Sequence, residues 1–256
     1  MHWLLLRGLA REQRHWGGFV DILANSLPGD VIHRLDLPGA GTEYRRLTPW
    51  SVPEIAEDVR ARWLGLRAEH AGPWGLLGIS LGGMVALAWC GLHGDDFERV
   101  VVVNSSIGDL SPPWHRMSLG VFAGVVRSLG SRSAVDRERR VLAMTTRMFT
   151  DVDTRAREWA GYMDDRPMRR VNVVRQLLAA SRFRAPAAIR TPMLVLSGAR
   201  DSLTNPACPR AIATRYAAPI EIHPEAGHDL STDDPVWMAE RVRCWTVVQA
   251  HRVDPR

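Results

Sequence analysis

Residues 75–87 read GLLGISLGGMVAL: an apolar run of strand length, a serine, then a run of small and apolar residues suited to a tightly packed helix. Gly78, Ser80 and Gly82 alternate across the junction, in the pattern G-x-S-x-G. The spacing has a physical cause. A serine presented at a sharp strand-to-helix turn takes a strained backbone conformation, and side chains two positions to either side would collide. Glycine removes both collisions. The helix that follows aims its N-terminal amides at the serine, where a reaction would develop negative charge. The stretch predicts a nucleophile elbow between a buried strand, Trp74–Ile79, and a helix.

Working outward, further strand-length apolar runs occur at 3–6 (WLLL), Val31–Leu35, 100–103 (VVVV), 193–196 (MLVL) and 220–222. Between them lie amphipathic stretches. Ser51-Val-Pro-Glu54 has the form of a capping box with proline in the first helical turn, and Ile55, Val59, Trp63 and Leu66 follow at helical spacing. Asp234-Pro235 opens a last helix with Met238, Val242, Trp245 and Val248 on one face. Strands alternating with helices predict an α/β fold: a mainly parallel sheet of about six strands with helices on both faces.

One region breaks the alternation. Residues 111–129, 137–149, 155–163 and 169–183 read as short amphipathic helices with no strand among them. They predict a helical lid inserted before the penultimate strand, and a division into a core, 1–108 and 191–256, and a lid, 109–190. The lid carries Trp114, Met117, Phe122, Met144, Met148, Phe149, Trp159, Tyr162 and Met163. Most are expected to pack the lid on itself and on the core, and a few to line an apolar pocket.

In a parallel sheet the site lies outside the carboxyl ends of the strands. Behind 193–196 comes Ser-Gly-Ala-Arg-Asp201, and behind 220–222 comes His-Pro-Glu-Ala-Gly-His228. Serine, aspartate, histidine, each behind a successive strand, is the chain order of a Ser-Asp-His triad in this kind of sheet. Rivals exist. His223 is the alternative base, although it ends a strand instead of following a glycine in the loop. Asp109, behind the VVVV strand, is the alternative acid. His33 lies within a strand and reads as a packed or edge residue. Asp229 and Asp233 read as exposed turn or cap residues.

GISLGG (78–83), GARDSL (198–203), GHDLSTDDP (227–235) and DLPGAG (36–41) together resemble the α/β-hydrolase superfamily, in its lid-bearing, carboxylesterase-like branch. The resemblance spans the whole chain. Residues 6–9, Leu-Arg-Gly-Leu, match the loop after the first parallel strand, where most relatives carry His-Gly; here Arg7 replaces that histidine. The two N-terminal antiparallel strands of the full fold have no counterpart. The resemblance implies a serine hydrolase acting on carboxylic esters of small to medium acyl groups. Ser80 would be nucleophile, His228 general base and Asp201 its orienting acid, with the backbone amides of Leu9 and Leu81 as oxyanion hole. No metal or organic cofactor is implied. Thioesterases, C–C hydrolases, lactonases and acyltransferases share these residues, whereas haloalkane dehalogenases carry aspartate at the nucleophile position. A ligand-binding module on a hydrolase scaffold is the reading from a different class.

Composition bounds the rest. At 46% hydrophobic and 24% charged residues, the 256-residue chain reads as globular. No apolar run is long enough to span a membrane and none resembles a leader, so a cytoplasmic protein is expected. Cys90, Cys208 and Cys244 are scattered and odd in number, which argues against a disulfide framework or structural zinc site. All 33 basic residues are arginine, which excludes mechanisms that need a lysine. Between 109 and 190 there are 16 arginines against 8 acids, a net +8, while the whole chain is +5. A basic lid would steer an anionic partner: an acidic acyl-carrier protein, a CoA thioester or an anionic membrane surface. Nucleic acid is not expected, because no recognition motif accompanies the charge.

Overall fold

The computed structural model describes residues 1–118, 120, 123, 124, 127, 130, 131 and 133–253. Phe122 and part of the first predicted lid helix lie outside the described residues. Six strands form one sheet: β1 (His2–Leu6), β2 (Val31–Leu35), β3 (Trp74–Ile79), β4 (Arg99–Val103), β5 (Met193–Gly198) and β6 (Ile220–His223). Their order is β2-β1-β3-β4-β5-β6, and all five pairings are parallel.

Alternation along the strands builds two cores. Leu4, Leu6, Leu76, Val100, Val102 and Val195 point to one face. Helix α2 (Val52–Glu69), α3 (Leu81–Leu92) and α8 (Ala207–Arg215) cover it. Trp3, Leu5, Leu77, Ile79, Val101, Val103, Leu194 and Leu196 point to the other, under α1 (Phe19–Ser26) and α10 (Pro235–Val253). The capping box at the start of α2 is formed: Glu54 N–H donates to Ser51 Oγ (3.3 Å), and Ser51 N–H donates to Glu54 Oε2 (3.0 Å).

The connections matter for the site. The chain leaves β1 toward the α1 face, returns as β2 on one side, then crosses to β3 on the other side of β1 and leaves toward the α3 face. The loops after β1 and β3 therefore diverge to opposite faces and open a crevice between them, the switch point where doubly wound sheets hold ligands.

Between β4 and β5 the described residues include the helices α4 (Pro113–Arg116), α5 (Ala134–Thr145), α6 (Val152–Asp165) and α7 (Arg170–Arg182). Leu142 of α5 packs against Ala156 and Trp159 of α6. Not every apolar residue there is covered; Trp114 is 69% exposed. Between β6 and α10 lies the short helix α9 (Leu230–Asp233). Among the described residues no helix is long and apolar enough to cross a membrane. Cys90 and Cys208 are buried, and burial pushes the Cys90 thiol up to about 12, so it packs as an apolar group.

Trp63 anchors the α2–α3 face. It is fully buried, with ring centroids 5.6 Å from Trp74, 5.4 Å from Trp89 and 5.0 Å from Phe97. Its indole N–H has no partner among the described residues, so it contributes by packing and by the Arg67 guanidinium held 5.1 Å over its ring. Trp63→Ala should destabilise the fold by about 3–5 kcal/mol, read as a lower urea midpoint at unchanged slope. Trp63→Phe, which removes the unpaired donor, should cost well under half of that.

Candidate active site

Ser80 sits at the β3–α3 junction with φ 56° and ψ −117°, the strained conformation foreseen for the elbow. A Cβ at Gly78 would run into the Gly82 carbonyl, and one at Gly82 into the carbonyls of Leu6 and Arg7. Backbone thus meets backbone at both flanking positions. The elbow is also pinned from β4: Ser80 N–H donates to the Val103 carbonyl (2.9 Å), and Ser105 Oγ–H to the Ser80 carbonyl (2.9 Å). Ser80 is half-buried. Leu81 is the first residue of α3, so its amide belongs to the helix N-terminus.

The aspartate and histidine meet. His228 Nδ1 lies 2.7 Å from Asp201 Oδ2, and both residues are buried. The other carboxylate oxygen, Oδ1, accepts from the amides of Leu203 (2.8 Å) and Thr204 (2.9 Å), so the carboxylate cannot rotate freely. With a carboxylate at Nδ1 the ring holds its proton there and presents Nε2 as the lone-pair nitrogen. Burial alone would lower the pKa of His228. The Asp201 carboxylate, by charge and hydrogen bond, outweighs burial and raises it above the ordinary histidine value, with Asp229 adding in the same direction.

Contacts from the ends of β1 and β4 tie the serine turn and the histidine loop to shared neighbours. A Cβ on Gly8 would stand 3.0 Å from Ser80 Cβ, so the loop after β1 lies against the serine. Its neighbour Arg7 donates to Asp229, the residue after His228, through both terminal nitrogens (3.1 and 2.7 Å). From β4, Asn104 Nδ2 donates to the carbonyls of His228 (2.7 Å) and Gly227 (3.1 Å), while its Oδ1 accepts from Gly198 N–H of β5 (2.9 Å). Asn104 adopts φ 46°, which asparagine tolerates better than most residues.

The rivals are occupied elsewhere. His223 Nδ1 accepts from the amides of Glu225 and Ala226, leaving Nε2 to donate to Asp234 (3.1 Å). Asp109 is exposed and accepts from Ala185 N–H (2.9 Å). His33 packs with His2, His70 and Trp74 around β1 and β2.

Two residues read from sequence as exposed turn or cap groups do otherwise. Asp229 is buried in an ion pair, because Arg7 arrives from 222 residues away to neutralise it. Asp233 accepts from the amides of Arg147 (2.9 Å), Met148 (2.9 Å), Phe149 (3.1 Å) and Gly227 (2.6 Å), which clamps the segment after α5 onto the histidine loop. Two more had no sequence-level reading. Asn104 was findable, since it directly follows the VVVV run at a strand's carboxyl end. Gln176 of α7 was not: it is fully buried, and its Oε1 accepts from Ala10 N–H (3.0 Å), holding Ala10 at φ 54° beside Leu9.

A parallel sheet with a strained serine elbow at its switch point, and a paired aspartate and histidine behind its last two strands, defines a hydrolase of the α/β class. The chain belongs to the alpha/beta hydrolase family, whose sequence profile matches residues 3–241. No curated protein sequence matches it significantly. Among solved structures it is similar to the enol-lactonase of Burkholderia xenovorans LB400, at 21% identity and a TM-score of 0.72, covering 96% of this chain and 91% of that one. A hydrolase from Pseudomonas aeruginosa PA01 gives 21% and 0.72, covering 96% and 89%. RedJ-thioesterase from the prodiginine biosynthetic pathway in Streptomyces coelicolor gives 18% and 0.62, covering 96% and 84%. At these identities the likeness is one of fold.

Proposed function

We propose that the protein is a serine hydrolase cleaving carboxylic esters of small to medium acyl groups through an acyl-enzyme. The observation that carries this reading is the 2.7 Å His228–Asp201 pair, set behind the last two strands of a sheet whose β3 ends on a serine held at φ 56°. His228 Nε2 takes the Ser80 proton as Oγ attacks the acyl carbonyl, and returns it to the leaving alcohol. Asp201 keeps the proton on Nδ1 and stabilises the imidazolium that forms. The amides of Leu81 and Leu9 receive the oxyanion, each donor contributing about 3 kcal/mol. Water then repeats the sequence on the acyl-enzyme. Residues 109–190 act as a lid over the crevice, joined to it through Gln176 and Asp233.

Turnover of p-nitrophenyl esters of graded chain length, with fluorophosphonate labelling of Ser80, tests the reading. No turnover and no labelling would remove it. The histidine adds a signature. General-base catalysis needs neutral His228, and its pKa is raised, so kcat/KM for a neutral ester should fall as pH drops through a value above ~6.5. The slope below that point should be about tenfold per unit. A rate still flat at pH ~5.5 would exclude His228 as base.

The net +8 of residues 109–190 favours a second substrate for the same chemistry, an acyl thioester delivered by an acidic carrier. Ionic strength separates the two: carrier-bound turnover should fall steeply with salt, and small-ester turnover should not.

A further inference from the structure

We propose that Arg7 and Asp229 are positioning residues of the Ser80 site: their ion pair ties the loop that offers Leu9 to the loop that carries His228, and keeps the carboxylate beside the imidazole neutralised. The inference rests on the hydrolase reading above and assigns a role to the residue that replaces the family's histidine.

The pair is built, not incidental. Arg7 Nη1 lies 3.1 Å from Asp229 Oδ1 and Nη2 2.7 Å from Oδ2, a two-pronged fit. Nη1 also donates to Ser231 Oγ (2.8 Å), whose hydroxyl donates to Asp229 Oδ1 (2.8 Å). The side chains are 4% and 6% exposed. The guanidinium lies 4.9 Å over the buried Trp16 ring, which fixes its plane. Each end of the pair is one residue from the proposed chemistry: Arg7 precedes Gly8, which abuts Ser80, and Asp229 follows His228.

Joining two loops by a buried ion pair is costly, because both charges lose water; apolar side chains would join them as well. The charge has a use where it sits. A second bare carboxylate beside His228 would hold the imidazolium and compete with Asp201 for it. Burial would raise the Asp229 pKa, but Arg7 overrides this and keeps the carboxylate ionised below the usual range. Arg7 in turn opposes the positive charge on His228, while Asp229 favours it. Among the described residues, the other charged or titratable groups around this pair include Asp201, Arg11, His15, Arg147 and Asp233.

The test is the titration of the His228 ring by NMR in the full-length protein, its signals assigned by their loss in His228→Gln. Asp229→Asn should lower the His228 pKa by about one unit, since a close charge moves a neighbour by that much or more, and Arg7→Met should raise it by less, because the buried Asp229 left without its arginine takes up a proton more readily. The double variant should return to within a few tenths of the native value, and the acid limb of kcat/KM should follow in each case. A purely structural pair would show neither opposite signs nor cancellation. Absent shifts, shifts of one sign, or a double variant that does not return would overturn the proposal. If Arg7→Met does not fold, Asp229→Asn decides alone: it is nearly isosteric and still accepts from Arg7 and Ser231. Titration requires no turnover, so the two failures separate. A native protein that fluorophosphonate does not label overturns the hydrolase reading. Normal labelling with an unmoved titration overturns this inference only.

Discussion

Ser80→Ala should lower kcat on p-nitrophenyl esters by roughly 10⁶-fold while leaving the protein folded. The loss is large because the elbow presents one nucleophile, and water in its place has no anchored hydroxyl for His228 to deprotonate. The fold should tolerate the change. Alanine keeps the Cβ that already occupies φ 56°, so the backbone strain is the same in both proteins. Thermal stability should therefore stay within about 0.5 kcal/mol of native, and fluorophosphonate labelling should vanish. Turnover unchanged in Ser80→Ala would remove the serine mechanism altogether.

Asp201→Asn should cost about 10⁴-fold in kcat with little change in KM. The direction follows from the two oxygens being held differently. Oδ1 accepts from the amides of Leu203 and Thr204, so in the asparagine the carboxamide oxygen must take that place. Its NH₂ is then forced toward His228 Nδ1, where Asp201 Oδ2 stands. An N–H aimed at Nδ1 makes that nitrogen the acceptor and moves the ring proton to Nε2, which no longer accepts from serine. Asp109→Asn is the control: that carboxylate is exposed on the Ala185 amide, and kcat should change by less than about twofold. A larger loss in Asp109→Asn than in Asp201→Asn would reassign the acid.

Much of this architecture was legible because it is periodic or local. Strand-length apolar runs and helical spacing are properties of neighbouring residues, and they assigned the six strands and the helices behind Ser51, Ser80 and Asp234, but not Phe19–Ser26 or Ala207–Arg215. The capping box of α2 and Gly78 were legible for the same reason, since capping and the Gly78–Gly82 collision act within a few residues, whereas Gly82 makes room for the distant carbonyls of Leu6 and Arg7. Position behind a strand singled out Ser80, Asp201 and His228. Asp229 and Asp233 misled because a polar residue in a turn has the same local appearance whether it faces water or a distant arginine. Gln176 had no appearance at all; it is one polar position on an otherwise amphipathic helix.

By itself the sequence determined the parallel α/β frame, the elbow and the order of serine, aspartate and histidine, since each follows from sterics and hydrophobic pattern over short spans. The tertiary structure alone decided the partners. Arg7 meets Asp229 across 222 residues, Gln176 reaches Ala10 across 166, and Asn104 spans 124 to the His228 carbonyl. Such pairs depend on which loops the sheet order brings to one edge, and no local pattern of residues carries that information.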